Sequence, residues 1–189
     1  MLRGKFAGPR EARFEALAGV VARPLLRYLS RRADTDAVDD ILAETMLVLW
    51  RRLDDVPGLS DDAPIDPDEV LPWCYGVARG CLANAQRAHT RRLRLVDRLT
   101  RSVPPAGPGE AEHPELHAAL GALPIADREV LLLWAWEGLA PREIAQVTGL
   151  TSNAVSIRLH RAKRKTAALL ERKNDGQPGH ETGNGRSNR

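Results

Sequence analysis

The sequence predicts an all-α protein of two small helical domains joined by a flexible linker, and three observations carry that reading. Apolar residues recur at three- and four-residue spacing through most of the chain. β-Branched residues nowhere form the alternating runs of a half-buried strand. Residues 101–114, RSVPPAGPGEAEHP, hold four prolines and two glycines without apolar periodicity, which divides the helical pattern in two. The 189 residues suit one or two small domains, and a hydrophobic content of 43% is enough for their cores. The formal charge of +3 hides an uneven distribution. Residues 54–69 hold seven acids and no base, whereas 87–101 hold six arginines against Asp97 alone.

Residues 1–10 read as a frayed lead. From about Glu11 to Arg32 the spacing of Phe14, Leu17, Val21, Leu25 and Tyr28 predicts a helix, with Pro24 as a point where it can kink. A second helix is expected over Asp36–Leu53, with Val38, Ile41, Leu42, Thr45 and Leu49 buried. Its acidic start and basic end suit the helix dipole. Asp40, Glu44 and Leu47 lie off the buried stripe. They read as an ordinary solvated face, except that Leu47 and Val48 are rather apolar for one. Pro57, Pro64, Pro67 and Pro72 predict a loop over 54–72. The third helix is expected from about Trp73 to Leu99, its first half packing Val77, Cys81, Leu82 and Trp73, its second half basic. Cys74 and Cys81 are seven residues apart on it. That separates them by roughly 10 Å, too far for an unstrained disulfide, so they read as small buried apolar residues.

Past the linker, Leu116, Ala119, Leu120 and Leu123 open a second helical unit, Pro124 breaks it, and a helix over Asp127–Glu137 supplies its core. Pro141 to Lys165 then reads as two short helices across a tight turn. Pro141 suits a first helical position and Glu143 a first turn. Gly149 is the expected left-handed stop. Thr151 or Ser152 caps the next helix, whose Val155, Leu159 and Ala162 face the core. Asn153, Ser156, His160 and Lys163 lie opposite, flanked by Arg161 and Arg164. This is the layout of a helix-turn-helix whose second helix enters a DNA major groove; a plain helical hairpin with a basic face is the alternative. The residues beyond Lys173 are polar and expected to be disordered. The boundaries are therefore 11–100, linker 101–114, 115–173 and tail 174–189. No apolar run is long enough to span a bilayer and no secretory h-region is present, so a cytoplasmic protein is expected.

In this order and spacing, DDILAETMLVLW, WCYGVARGCLANAQRAHTRR, the linker and LPIADREVLLLWAWEGLAPREIAQVTGLTSNAVSIRLHRAK resemble a bacterial sigma factor of the extracytoplasmic-function type, group IV of the sigma-70 family. The resemblance covers nearly all of 11–170. It implies a first domain (region 2) that holds the polymerase clamp and opens the promoter −10 element, and a second (region 4) that reads the −35 element. It implies core polymerase contacts at Asp40, Glu44, Leu47 and Arg51. It implies −10 contacts at Trp73, Tyr75, Arg79, Asn84, Arg87 and Arg91, with core packing an equal reading for Trp73. The −35 contacts implied are Ser152, Asn153, Ser156, Arg158, His160, Arg161 and Arg164. The implied partners are core RNA polymerase (clamp helices and flap), promoter DNA and a restraining anti-sigma factor. No cofactor, metal, small-molecule substrate or membrane insertion is implied.

Four positions depart from the family pattern. Ala43 stands where the clamp motif usually has Gln, and Gly80 where many relatives have Asn. Ala140 replaces the usual Ser/Thr cap, a loss of roughly 1 kcal/mol, and Ser156 replaces a common base. Two other functional classes remain in view. A stand-alone helix-turn-helix regulator needs a ligand pocket or a symmetric apolar helix, and neither is evident. An enzyme needs a metal-spaced cluster, a phosphate-binding glycine loop or a nucleophile with a base, and none is evident either.

Overall fold

In the computed structural model the described residues, 8–60, 63–97 and 113–174, form seven α-helices and one short 3-10 turn, with no strand among them. The expected all-α class holds. Residues 1–7, most of the expected linker and the tail past Asn174 lie outside the described residues, as do the side chains of Leu95, Val96 and Leu99.

Helix α1 (Pro9–Ser30) starts on a proline and buries Leu17, Val21, Leu25, Tyr28 and Leu29. Helix α2 (Thr35–Arg51) buries Val38, Ile41, Thr45 and Leu49. The Thr45 hydroxyl, fully buried, donates to the Ile41 carbonyl at 2.7 Å, so the helix itself satisfies it. The 3-10 turn Leu53–Asp55 follows. Its Asp54 is held by Arg10 and Arg13 of α1, which anchors the start of the acidic stretch.

Helix α3 (Pro67–Asp97) begins six residues before the expected start, which corrects the reading of 54–72 as loop throughout. Pro67 occupies the first helical position, where a missing N–H costs nothing. Asp66 accepts the N–H of Asp68 at 2.9 Å and caps the end. Pro72, the sixth residue of the helix, lacks the N–H that would bond the Asp68 carbonyl and is accommodated inside the helix at the loss of that one bond. Cys74 and Cys81 are both buried and unpaired, and burial pushes the Cys74 thiol up to about 12.

The remaining helices are α4 (Pro114–Gly121), α5 (Ile125–Glu137), α6 (Pro141–Thr148) and α7 (Ser152–Asn174). Helices α1, α2 and α3 pack on one another; α4, α5 and α6 pack on α7; α3 and α6 join the two groups. The buried side chains form one continuous cluster through both.

Candidate functional site

The helix-turn-helix is built as its residues require. Gly149 has φ 74°, the left-handed conformation that ends α6. Thr151, not Ser152, caps α7: its hydroxyl accepts the Ala154 N–H at 3.2 Å. Ala140 has no side chain to cap α6, but the Glu143 carboxylate accepts the Ala140 N–H at 2.7 Å and supplies half of a capping box. Ile144 and Val147 of α6 and Val155, Leu159 and Ala162 of α7 are buried, which fixes the rotation of α7.

With that rotation, residues at 100° steps place Asn153, Ile157, His160 and Arg164 along the outward stripe, and all four are exposed. Ser152, Ser156 and Arg161 are also exposed. The Ser156 hydroxyl is turned back to donate to the Ser152 carbonyl at 2.9 Å. Ile157, 55% exposed in the middle of the stripe, was missed by the sequence reading. Counting four residues on from Asn153 would have found it. An apolar side chain there suits a thymine methyl.

Arg158 requires a correction. It lies toward α5, half-buried, and donates to Asp127 at 3.2 Å, with Arg161 3.7 Å from the same carboxylate. Asp127 is 4% exposed, so its charge needs that partner. Arg158 is therefore a strut between helices and not a base reader. Lys163 and Lys165, both exposed, bend back along the protein surface. The Lys163 ammonium sits 3.2 Å from the centroid of the Trp134 ring, and Lys165 donates to the Ala122 carbonyl at 2.8 Å.

On α3 the six residues implied for the −10 element do not share a face. Trp73, Asn84, Arg87 and Arg91 fall on one side at helical spacing. Asn84, Arg87 and Arg91 are exposed, with Arg87 donating to the Asn84 amide oxygen. Trp73 is half-buried beneath the Arg52 guanidinium, 5.0 Å from its ring. Tyr75 is the second correction. It is 4% exposed, packed 5.3 Å from Tyr28 between ring centroids, and burial raises both phenols to about 12. A ring so enclosed has no face to offer an unstacked base. Arg79 is bound to Glu129 of α5 by two hydrogen bonds, Nε at 2.6 Å and Nη2 at 3.2 Å. Gly80 is exposed with open space around it.

On α2, Asp40, Glu44, Leu47 and Arg51 recur at i, i+4, i+7, i+11 and all are exposed, Leu47 by 46%. Asp40 and Glu44 form one wall of a groove whose other wall is Ala85, Ala88, His89 and Arg92 of α3. Ala43 is exposed beside them. Among the described residues no group of three or more His, Cys, Asp or Glu side chains could hold a metal, and no helix is long and apolar enough to cross a membrane.

Comparison with known proteins gives a consistent family. Residues 113–166 match the family model described as Sigma-70, region 4. RNA polymerase sigma factor CnrH of Cupriavidus metallidurans is 30% identical over 155 residues, covering 73% of this chain and 75% of that protein. ECF RNA polymerase sigma factor EcfG of Rhodopseudomonas palustris is 27% identical over 157 residues, 80% of this chain and 82% of that protein. Among solved structures, CnrH in complex with the cytosolic domain of CnrY matches with a TM-score of 0.54 at 25% identity, covering 84% of this chain and 88% of that one. RpoE in complex with the anti-sigma factor NepR from Bartonella quintana matches in fold with a TM-score of 0.62 at 19% identity, over 84% of this chain and 96% of that one.

Proposed function

The chain belongs to the RNA polymerase sigma factors of the extracytoplasmic-function type, and from that premise we propose how its surfaces divide the work. It binds core RNA polymerase and directs promoter-specific transcription initiation, recognising −35 and −10 elements and helping to open the DNA. The observation that carries the assignment of surfaces is the outward stripe of α7, Asn153–Ile157–His160–Arg164, on a properly capped helix-turn-helix.

In this reading residues 115–173 form the −35-reading unit. Asn153 and His160 present hydrogen-bonding groups to base edges, Ile157 packs on a thymine methyl, and Arg161 and Arg164 hold flanking phosphates. Residues 11–100 form the polymerase-binding and −10-reading unit. Trp73 supports an unstacked base, Asn84 bonds its edge, and Arg79, Arg87 and Arg91 hold the backbone. The groove beside Asp40 and Glu44, with Leu47 and Arg51 along the same face, takes the polymerase clamp. An anti-sigma protein as restraining partner and the cytoplasm as location belong to the same reading.

The test is run-off transcription by purified core polymerase on a library of promoters randomised at both elements. Transcripts that appear only when the chain is added, enriched in one sequence at each element, are the expected outcome. Tight, sequence-specific binding of promoter duplex by the chain alone, with no effect on core polymerase, would instead identify a stand-alone regulator.

A further inference from the structure

Three basic side chains along one edge of α7 meet the start of α5. Arg158, Arg161 and Lys165 recur at i, i+3 and i+7, so they stand one above another on the helix. Lys165 is held by the Ala122 carbonyl just before α5, and Arg158 by Asp127 Oδ1 in its first turn. Between them, Arg161 Nε lies 3.7 Å from Asp127 Oδ2, an ion pair longer than a hydrogen bond. The Asp127 side chain is 6% exposed, that of Arg158 34% and that of Arg161 64%. Asp127 is itself well fixed. It sits where a helix dipole favours an acid, and its N–H donates to the Pro124 carbonyl at 3.0 Å.

We propose that Asp127 is a positioning residue for promoter binding: it holds Arg161 by its Nε edge and turns both Nη groups to a −35 phosphate. The proposal rests on the reading of α7 as the −35 helix. Two guanidinium groups and one carboxylate leave one positive charge uncompensated, and the exposures put it on Arg161. Among the described residues its Nη groups have no partner. A guanidinium is a rigid planar fork, so an acid on one edge fixes the direction of the other. The free edge can then take a phosphate through two parallel hydrogen bonds.

The consequence reaches the bases. Phosphate contacts set the register in which base contacts are made. Arg161 adjoins His160, so fixing its phosphate fixes where His160, Ile157 and Asn153 meet base edges. A free arginine gives up rotamer freedom on binding, whereas a held one has given it up already. An acid beside a DNA-reading helix has the opposite effect, since it repels phosphates. Arg158 already balances the Asp127 charge, so holding outweighs repulsion. The two effects have opposite signs, and a measurement tells them apart.

The experiment uses the full chain assembled with core polymerase, with Asp127→Asn, Arg161→Gln and the double variant. Circular dichroism sets a temperature at which all are folded. Asn keeps an acceptor for Arg158 but not the charge that holds Arg161. Fluorescence anisotropy reads the binding of a labelled promoter duplex over a salt series, and transcription from a library randomised at the −35 element reads the ranking. Asp127→Asn should weaken binding about fivefold, as freeing one rotamer-rich side chain does, without lowering the salt slope. Arg161→Gln should weaken it at least as much and lower the slope by about one. Both should blur the ranking, and the double variant should match Arg161→Gln alone. Binding by Asp127→Asn as tight as wild type or tighter overturns the proposal, as does wild-type binding by Arg161→Gln. A loss that adds in full to that of Arg161→Gln also overturns it, because Asp127 then acts through Arg158 and the fold. Asn153→Ala/His160→Ala in the same library separates the two failures. An unchanged ranking means that α7 is not the −35 reader. A reordered ranking, with Asp127→Asn binding normally, means that the reader is right and Asp127 only braces the helices.

Discussion

Ile157 and Arg158 are neighbours in sequence with opposite duties, because one residue step turns a helix by about 100°. Arg158 serves Asp127, so Arg158→Ala should lower the stability of the 113–174 helices by about 1–3 kcal/mol. It should leave the ranking of −35 sequences unchanged once temperature is lowered to restore folding. Thermal melting and transcription from a randomised −35 library measure the two. Ile157→Ala should do the reverse, leaving the melt alone and relaxing a thymine preference by about 1 kcal/mol, the worth of the lost methylene contacts. His160→Ala should relax a different position of the same element. If Arg158→Ala reorders the −35 ranking and Ile157→Ala does not, α7 is rotated the other way in the groove. The sequence made the exposed side of α7 legible through Val155, Leu159 and Ala162. It did not reveal that a buried acid 31 residues away claims Arg158. Tyr75 failed for a similar reason, since its partner Tyr28 lies on another helix.

At the scale of elements, α2 shows how a helix can have one stripe for the core and another for a partner. Thr45 and Leu49 are fully buried, while Glu44 and Leu47 face out. Glu44→Arg should therefore leave helicity and melting temperature unchanged and abolish co-purification with core polymerase, because a cation now faces a surface that accepted an acid. Pull-down of core polymerase by the folded variant as by the wild type would exclude this face. Such stripes can be read directly from periodicity, and so could most helix limits. The start of α3 was one exception, and α7, read as short, was another, running 23 residues to Asn174. Counting prolines over 54–72 treated each as a breaker, but position decides what a proline does, and Pro67 behind Asp66 starts a helix.

Seen whole, the chain is held together by contacts that no local pattern announces. Arg79 and Glu129 are 50 residues apart, and Arg32 and Glu137 are 105 apart. Each looks like an ordinary solvated charge in the sequence, and only the packing of α6 on α3 brings them together. The linker composition suggested two units free to move, whereas the two helix groups are docked on each other through α3 and α6. Docking makes a separable prediction. Lengthening the linker with glycine and serine should hardly change the compactness of the free chain, since closure entropy grows only slowly with loop length. A marked expansion in small-angle scattering would mean that the linker, and not the Arg79–Glu129 and Arg32–Glu137 pairs, keeps the groups together.

Helix α3, 31 residues and about 46 Å long, meets the other group at Gly76 and Arg79. Arg87, Arg91 and Arg92 remain exposed further along. These arginines can draw the chain to a duplex by charge and let it slide there before any base is read. Scanning would then be fast and indiscriminate, with selectivity deferred until polymerase is present. The association rate of the free chain with random duplex should fall steeply as salt rises. Replacing Arg87, Arg91 and Arg92 with Gln should flatten that dependence in stopped-flow mixing. An unchanged slope would mean that the attraction comes from elsewhere on the surface.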